Sequence, residues 1–255
     1  MADRRTDIRK AHMSKQNSKT QTKPHLNGAA TAVAARPKKP RAGSKAAMAE
    51  ALIVPVGPIK SVCVYCGSGP GRNPAYVAAA RTLGKSLATA GIGLVYGGGG
   101  LGLMGETAKS VIAHGGKVTG IIPQFLSEKE RMLLEAHELI VTEDMHQRKR
   151  LMFDRSDAFV ALPGGIGTLE ELVEQLTWAQ LGRHTKPIVL ANIDGFWDPF
   201  LALLTHMQDE AFIRAGLEVR FVTVERAEDI LPAALAAAEV GRADDPRLKA
   251  VMRQF

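Results

Sequence analysis

The sequence predicts an α/β protein with a Rossmann-like, doubly wound sheet that is mostly parallel and carries helices on both faces. Two observations support this fold class. Short, continuously apolar segments recur along residues 61–224, and segments with helical spacing separate them. Such strands are typical of a parallel sheet that is buried on both sides. Right-handed crossovers then bring the loops at 67–71, 97–102 and 163–168 to one edge, where these folds bind ligands.

The first half of the predicted domain alternates strands and helices through short glycine-rich loops. Gly91 suits the carboxyl-terminal cap of a first helix, and Gly115 and Gly116 close a second one. Residues 123–136 are less regular and predict a loop with a short helix. The predicted elements are a strand at 61–66, a helix at 74–90, a strand at 92–96, a helix entered through the glycine run 97–105 and ending at 114, and a strand at 117–122.

The second half repeats this alternation. The segment 145–154 has helical spacing, and the apolar segment 157–162 leads directly into a Pro-Gly-Gly turn. Asp194 and Gly195 predict a further turn. The elements predicted here are strands at 138–142, 157–162, 187–191 and 221–224, and helices at 145–154, 168–181, 197–210 and 227–240.

The positive charge of the chain is concentrated at its amino-terminal end. The 255 residues carry a formal net charge of +7. Residues 1–45 contain 12 Lys and Arg against 2 Asp, whereas the remainder contains 21 Lys and Arg against 24 Asp and Glu. The folded part is therefore mildly acidic, and a basic nucleic-acid-binding domain is not indicated.

We expect two regions: a disordered basic tail at 1–50 and a single Rossmann-like domain at 51–255. The tail has almost no large apolar residues, so it cannot offset the entropy of ordering. A weak contact with nucleic acid or another acidic surface, and a transit peptide, are the functional alternatives. Asp3 and Asp7 argue against the transit peptide. A solvated extension that activity does not require is the favoured interpretation.

Cysteine and histidine positions predict neither a metal nor a redox site. Cys63 and Cys66 lie within the apolar segment of the first strand, where cysteine behaves as a small hydrophobic residue. No second Cys or His pair follows at ligand spacing, so we expect no metal and no cofactor. A cytoplasmic, reducing compartment fits best. No run approaches the roughly 18 apolar residues that a membrane helix needs, so no membrane contact is expected.

The segment Pro163–Glu171 carries the strongest functional signal. A buried strand leads into three glycines, Gly164, Gly165 and Gly167, and a helix then begins with the apolar spacing of Leu172 and Leu176. Glycines let a ligand approach the backbone, and the unpaired amides of a helix start bind phosphate. Carboxylates in the first two turns add acid–base chemistry, so this segment predicts a phosphorylated substrate.

Two common nucleotide-binding motifs do not fit this sequence well. Gly100, Gly102 and Gly105 fit the dinucleotide fingerprint, which is weak by itself. The third strand ends in Pro123 and Gln124 without the acidic residue that would bind the ribose, which weakens a nicotinamide site. No glycine is followed by Lys and then Ser or Thr, so a P-loop is excluded.

A basic cluster at 145–150 precedes the strand that leads into the Pro-Gly-Gly turn. Its helix should open near the same edge of the sheet. Arg148 and Lys149 would then supply the positive charge for a phosphate that the acidic helix at 168–181 lacks. Most such runs lie on a solvated face, so this position near the turn is what makes the cluster a candidate.

Five segments, in the same order, resemble the Lonely Guy (LOG) family, whose members are cytokinin riboside 5′-monophosphate phosphoribohydrolases once labelled lysine decarboxylases. The similarity runs from about residue 60 to 235. Ile166 departs from it, because many members carry an aromatic residue there, and so does the basic extension. The segments are Pro-Gly-Gly-Ile-Gly-Thr-Leu-Glu-Glu at 163–171, Cys-Val-Tyr-Cys-Gly-Ser at 63–68, the glycine-rich segment 94–105, Met-His-Gln-Arg-Lys at 145–149 and Thr-Trp-Ala-Gln-Leu-Gly at 177–182.

The resemblance implies cleavage of the N-glycosidic bond of an N6-substituted AMP, giving free base and ribose 5-phosphate. It implies a catalytic pair, Arg148 and Glu171, and a homodimer with a shared active site in which the helix with Trp178 is an interface candidate. Substrate contacts are implied for Glu130, Lys149, Gly164, Gly165, Gly167, Thr168, Glu170 and Thr177.

The chemistry of the residues agrees with this hypothesis. N-glycoside cleavage passes through an oxocarbenium-like sugar, which a carboxylate can stabilise or attack through water. Glu170 and Glu171 point about 100° apart, so only one can face the anomeric carbon. Two alternatives remain. One is a broader purine or pyrimidine nucleoside-5′-monophosphate nucleosidase, and the other is a non-catalytic carrier similar to molybdenum-cofactor carriers of the same fold.

Overall fold

The computed structural model describes residues 58–127, 132–214 and 219–242. The tail at 1–50 and Glu130 lie outside these residues, so the predicted division into a tail and one domain stays a prediction. The seven strands are β1 (Ser61–Tyr65), β2 (Gly93–Tyr96), β3 (Val118–Pro123), β4 (Glu138–Thr142), β5 (Ala158–Ala161), β6 (Ile188–Ala191) and β7 (Val222–Val224).

The strands form one wholly parallel sheet in the order β4-β3-β2-β1-β5-β6-β7. This order confirms the Rossmann-like prediction. The chain winds outward in one direction through β2, β3 and β4, and then in the other direction through β5, β6 and β7. The direction reverses between β1 and β5, and ligands of such sheets bind at the carboxyl ends of the strands at this point.

Seven helices connect and cover the strands in the described part of the chain. All the predicted long helices are found; the helix at 145–154 has the predicted ends, and no other predicted end differs by more than three residues. The helices are α1 (Pro74–Thr89), α2 (Gly102–Ala113), the single turn α3 (Gln124–Ser127), α4 (Met145–Asp154), α5 (Ile166–Gln180), α6 (Asp198–Asp209) and α7 (Ile230–Arg242).

The core consists of two apolar layers, one on each face of the sheet. One layer packs α1, α2 and α7 against the sheet, and the other packs α4, α5 and α6. Alternate residues of β1 enter opposite layers: Val62 and Val64 face the first, and Cys63 and Tyr65 face the second. Cys66 joins the first layer, so the two cysteines lie on opposite faces. Both are free and buried, which confirms that they pack rather than pair.

Two helix starts differ from the prediction. Helix α5 begins at Ile166, two residues before the predicted start, because Gly165 adopts the extended backbone of an N-cap. Helix α7 begins at Ile230, since a 3-10 turn occupies Ala227–Asp229. The first difference matters for the site, because it moves Glu170 and Glu171 into the second turn of α5.

No helix in the part of the chain that the structure describes could cross a membrane. None of these helices combines the length and the apolar character that a span would need.

Candidate active site

Three glycine-rich loops meet at the carboxyl edge of the sheet. The Gly67 amide donates to the Pro163 carbonyl at 3.0 Å, and the Leu103 amide donates to the Gly67 carbonyl at 3.0 Å. Gly102 has a φ of +57°, and its Cα lies so close to the Ser68 carbonyl that a Cβ would overlap with it. Because these contacts are between backbones, the loops after β1, β2 and β5 form one surface at the switch point, as the sequence predicted.

The amino terminus of α5 opens into this surface. Gly165 is the N-cap, and no side chain accepts from the first amides of the helix. The amides of Ile166, Gly167 and Thr168 therefore lack the carbonyl partners that later residues of a helix have. The Thr168 side chain packs over Gly164, where a Cβ would overlap with its hydroxyl. The result is a helix start suited to bind a phosphate.

A cleft of about 350 Å³ lies beside this helix start, and a cavity of about 270 Å³ adjoins it. Among the described residues, the cleft has a polar wall formed by Arg148, Thr168, Glu170 and Glu171. The apolar part of its lining consists of Cys66, Met104, Leu126, Met145 and Ile166. The adjoining cavity is lined mainly by glycines, with Tyr76, Leu103 and Phe196. Gly67, Ser68 and Gly165 border both spaces.

Arg148 and Glu171 form a buried ion pair at the base of the cleft. Arg148 Nη1 lies 2.7 Å from Glu171 Oε1, and each side chain is only 6% exposed. Arg148 Nε donates to the Ile121 carbonyl at 3.0 Å. The Nη2 atom lies against Gly97, where any Cβ would overlap with it. Helix α5, strand β3 and the loop after β2 thus hold the guanidinium in place. The guanidinium in turn holds Glu171.

Burial and the neighbouring charges set the protonation of Glu171. Desolvation raises the pKa of its carboxyl above the usual value, and Arg148 opposes that shift through its charge and its hydrogen bond. Glu170 raises the pKa of Glu171 further, whereas Lys149 lowers it. A carboxylate of this kind holds its proton more tightly than a surface glutamate, as general acids and bases near neutral pH do.

Lys149 is held by two carboxylates of α5. Its Nζ lies 2.6 Å from Glu170 Oε1 and 3.0 Å from Glu174 Oε1. Partial burial works against the charged form, but the two hydrogen bonds outweigh it and raise the pKa of Lys149. Lys149 does not belong to the described lining of the cleft. The predicted contact with phosphate would therefore have to compete with these two ion pairs.

Of the other residues predicted to contact the substrate, four lie at the start of α5 and one lies far along the helix. Gly164, Gly165, Gly167 and Thr168 lie at the helix start. Thr177 lies nine residues beyond Thr168, about 13 Å along the axis of α5. It is exposed, and its hydroxyl donates to the Val173 carbonyl at 2.8 Å.

Sequence reasoning missed several residues that form the site. The Ile121 carbonyl and Gly97 orient Arg148, and Met104, Leu126 and Met145 line the cleft. The position of Gly97 directly after the second predicted strand was a usable signal, since a residue there lies at the ligand-binding edge. No signal marked the Ile121 carbonyl, because every residue has one.

In the described residues, no group of three or more His, Cys, Asp and Glu side chains could hold a metal ion. The charged groups of the cleft are instead paired with one another. Its anion site consists of backbone amides, which need no metal to bind a phosphate.

The fold and the site together define the class, a Rossmann-like α/β protein with a crevice beside an uncapped helix start at its switch point. Solved structures show the same fold. The molybdenum cofactor binding protein from Rippkaea orientalis superposes with a TM-score of 0.52 at 23% identity, and the alignment covers 68% of this chain and 93% of that protein.

Sequence comparison identifies the family. A family profile described as "Possible lysine decarboxylase" matches residues 104–234. The probable cytokinin riboside 5′-monophosphate phosphoribohydrolase LOGL1 of Oryza sativa subsp. japonica is 44% identical over 74% of this chain and 85% of its own length. The cytokinin riboside 5′-monophosphate phosphoribohydrolase LOG5 of Arabidopsis thaliana is 45% identical over 68% of this chain and 75% of its own length. The chain belongs to the Lonely Guy (LOG) family, as its motifs predicted.

Proposed function

We propose that the protein hydrolyses the N-glycosidic bond of cytokinin riboside 5′-monophosphates, and also of AMP, to give the free base and ribose 5-phosphate. The observation that carries this proposal is the buried Arg148–Glu171 pair, which lies about one helical turn beyond the anion-binding start of α5. Relatives that are about 45% identical bear the name of this activity.

The start of α5 at Ile166 supports the substrate geometry. The first amides of α5 receive the 5′-phosphate, and Glu171 lies four residues beyond Gly167, which is about 6 Å along the helix axis. Phosphate and carboxylate therefore do not meet, although both belong to one helix. The ribose spans the distance between them, with its anomeric carbon toward Glu171 and its hydroxyls within reach of Glu170.

Cleavage needs a carboxylate at the anomeric carbon. The bond between C1′ and the base nitrogen breaks, and its electron pair leaves with the base. Glu171 stabilises the oxocarbenium-like sugar or takes a proton from water as the water oxygen bonds to C1′. One proton from water ends on the base and the hydroxyl remains on the sugar, so atoms and charge balance. Arg148 favours the ionised form of Glu171 and polarises the leaving base.

The apolar side of the cleft supports an N6-substituted base. Met104, Leu126 and Met145 are partly buried there, and Ile166 is 83% exposed at the rim. An apolar N6 substituent that covers these side chains removes their surface from water. Plain AMP lacks this contact, so we propose that it is the poorer substrate.

A homodimer with a shared site forms part of the proposal. One side of α5 and its C-cap carries Ile166, Val173, Thr177 and Leu181, which follow one another at spacings of 7, 4 and 4 residues. The three apolar members are exposed. Thr177 reaches a substrate most simply if this side of α5 faces the cleft of a second copy. Trp178 instead packs against Phe153 of its own chain, with ring centroids 5.1 Å apart.

The free, buried cysteines fit a reducing compartment, and we propose a cytoplasmic protein.

The carrier alternative rests on the fold, which molybdenum-cofactor proteins share. An ionisable pair buried at the base of the cleft favours catalysis over storage, because a carrier gains nothing from a desolvated carboxylate.

A panel of nucleoside 5′-monophosphates tests the function. Isopentenyl-AMP, AMP, GMP and CMP are incubated with the pure protein, and the released base is separated by chromatography. We expect base from isopentenyl-AMP and, more slowly, from AMP. Glu171→Gln and Arg148→Ala should each lose at least about 100-fold in turnover.

Glu106→Gln is the matched control, since Glu106 pairs with the exposed Arg81 away from the cleft. Near-wild-type turnover by either site variant would remove the catalytic assignment. Similar rates with all four nucleotides would favour the broader nucleosidase. Tight binding without any released base would favour the carrier.

A further inference from the structure

A further cavity, of about 280 Å³, lies at the edge of the sheet opposite the cleft. All the strands of a parallel sheet begin at one edge, and β6 and β7 begin with Ile188 and Val222. Both residues line this cavity, whereas the cleft lies at the carboxyl ends of the strands. The end of α5 and the last two turns of α7 contribute further walls. The cavity is therefore separate from the candidate active site.

Most of the lining of this cavity is apolar, and its charged side chains are basic. Lys186 and Arg220 lie two residues before β6 and β7, and the described lining contains no Asp or Glu. The cleft differs, because two glutamates and one arginine line it. A ligand that fits the cavity is therefore apolar over most of its surface and carries a negative charge. The apolar walls include Ala179, Ile188, Phe221, Val222, Ala237 and Val240.

Lys186 is a buried cation without a full opposite charge beside it. The residue is only 8% exposed, and its Nζ donates to the Phe153 carbonyl at 2.7 Å and lies 3.8 Å from the centre of the Phe153 ring. Among the described residues, Asp157 and Asp154 favour its charged form from a distance, but desolvation outweighs them and lowers the pKa of Lys186. Burial of a charge is unfavourable unless an opposite charge compensates it. A bound anion would therefore stabilise this ammonium group.

The helices around the cavity favour a single negative charge over a phosphate. Helices α4, α5 and α7 each follow a strand of the parallel sheet, so they end at this edge and their last carbonyls lie toward it. The negative end of a helix dipole is unfavourable for a dianion. His184 adds no charge at neutral pH, because burial lowers its pKa to about 4. A monocarboxylate with an apolar body meets these conditions.

We propose that this cavity binds small apolar monocarboxylates, with the carboxylate at Lys186 and Arg220 and the apolar body along β6, β7 and α7. Burial of the apolar body and a charge-assisted contact give an affinity of about 0.1 to 1 mM for a ligand of this size. The site goes beyond the proposed function and does not depend on it, since no residue of the cleft takes part.

Octanoate is the probe, and octan-1-ol is its uncharged counterpart. Binding of each to the whole chain is measured by ligand-observed NMR near neutral pH. We expect octan-1-ol to bind at least about 10-fold more weakly than octanoate, since it lacks the charge-assisted hydrogen bond. Equal affinity for the two probes, or no binding of octanoate in the millimolar range, overturns the inference.

Two substitutions on α7 locate the site. Ala237 lines the cavity and is partly buried, so Ala237→Phe should fill the space and abolish octanoate binding. Ala236→Phe is the matched control, because Ala236 is exposed on the same helix and does not belong to the described lining. Its affinity should stay within about twofold of wild type. Unchanged binding in Ala237→Phe would place the ligand elsewhere and contradict the proposal.

Removal of charge tests the carboxylate contact. Arg220→Met and Lys186→Met should each weaken octanoate binding by about 10-fold and leave octan-1-ol binding unchanged. Lys186 also binds the end of α4, so circular dichroism checks the fold of its variant, and Arg220→Met tests the charge independently. Arg226→Met is the control, since Arg226 is exposed and outside the described lining. Full octanoate affinity in Arg220→Met would rule out the charged contact.

Inorganic phosphate distinguishes this cavity from the start of α5. In excess, phosphate should occupy the unpaired amides of the helix start and leave the affinity for octanoate unchanged. Displacement of octanoate by phosphate would show that the carboxylate binds in the cleft, and the inference would then be wrong.

Discussion

Gly97 and Arg148 are in close contact: Arg148 Nη2 lies so near Gly97 that a Cβ at this position would overlap with it. Gly97 directly follows β2, and Arg148 comes from α4. The end of one strand therefore limits the position of a side chain from another part of the sequence. A larger residue here would have to displace the guanidinium.

Gly97→Ala should therefore impair activity while the fold persists. The added methyl group displaces Arg148 and, through it, Glu171. Misplacement of a catalytic group by about 1 Å can lower the rate about 100-fold, and we expect a loss of that order in kcat. Circular dichroism should remain that of the wild type.

Gly93→Ala is the matched control, since Gly93 begins the strand that Gly97 follows, and a Cβ there meets only ordinary contacts, the nearest at 3.6 Å. Its activity should stay within about twofold of wild type. Equal activity of both alanine variants would contradict the proposed role of Gly97.

Ile166→Ser should change substrate preference more than overall activity. Ile166 is exposed at the apolar rim of the cleft, where an N6 substituent would cover it. Removal of apolar contact worth about 1 kcal/mol lowers the ratio of kcat/KM for isopentenyl-AMP over AMP by roughly fivefold. The rate with AMP should change by less than about twofold.

Phe212→Ser serves as a control, because Phe212 is 85% exposed and does not belong to the cleft. Its substrate ratio should equal that of the wild type. An unchanged ratio in Ile166→Ser would show that the substituent lies elsewhere.

Val173→Asp should disrupt the proposed dimer. Val173 is 42% exposed on the apolar side of α5, and a carboxylate buried at an interface is strongly unfavourable. Light scattering after gel filtration should give a dimer mass for the wild type and a monomer mass for the variant, with a loss of activity.

The equivalent change on another helix is Val240→Asp, whose side chain is 74% exposed on α7. This protein should remain dimeric. A wild type that is monomeric while fully active would contradict the shared site.

The fold was readable from the sequence because its signals are local. Continuous apolar strands such as 158–161 have few alternatives in a chain of this pattern, and the glycine loops follow them directly. The edge at which Gly67, Gly102 and Gly164 meet follows from the parallel topology alone. The start of α5 was misjudged because Ile166 and Gly167 have weak helix preferences, and the extended backbone of Gly165 decides where the helix begins.

The side-chain pairing in the site was less predictable. Arg148 and Lys149 are adjacent and equally charged, yet one pairs within the core and the other at the rim. Which of them faces inward depends on the rotation of α4 about its axis, which a ten-residue helix of mixed polarity does not specify. The Ile121 carbonyl becomes a partner only when β3 and α4 are packed together.

His184 should make the stability of the protein depend on pH. The side chain is buried, and its Nε2 faces the Gln175 carbonyl at 3.3 Å while the Lys186 amide donates to Nδ1 at 3.1 Å. Nδ1 must therefore be unprotonated. Desolvation, with the nearby positive charge of Lys186, lowers the pKa of His184 from 6.5 to about 4.

The sign of the effect follows from this lowered pKa. Above pH 6.5 the histidine is neutral in both the folded and the unfolded chain, so its titration does not lower the free energy of unfolding there. As the pH falls from 6.5 to about 4, the unfolded chain takes up the proton and the folded chain does not. The free energy of unfolding should decrease over this interval by up to about 3 kcal/mol from this group.

Urea unfolding of wild type and His184→Gln at intervals between pH 4 and 8 measures this contribution. Glutamine does not titrate, so the variant should lack the part of the pH dependence of the free energy of unfolding that comes from the histidine. This holds even if the variant is less stable at every pH. The difference between the two proteins should therefore be largest above pH 6.5 and shrink toward pH 4. A difference that stays constant over the whole interval would mean that His184 keeps an ordinary pKa in the fold.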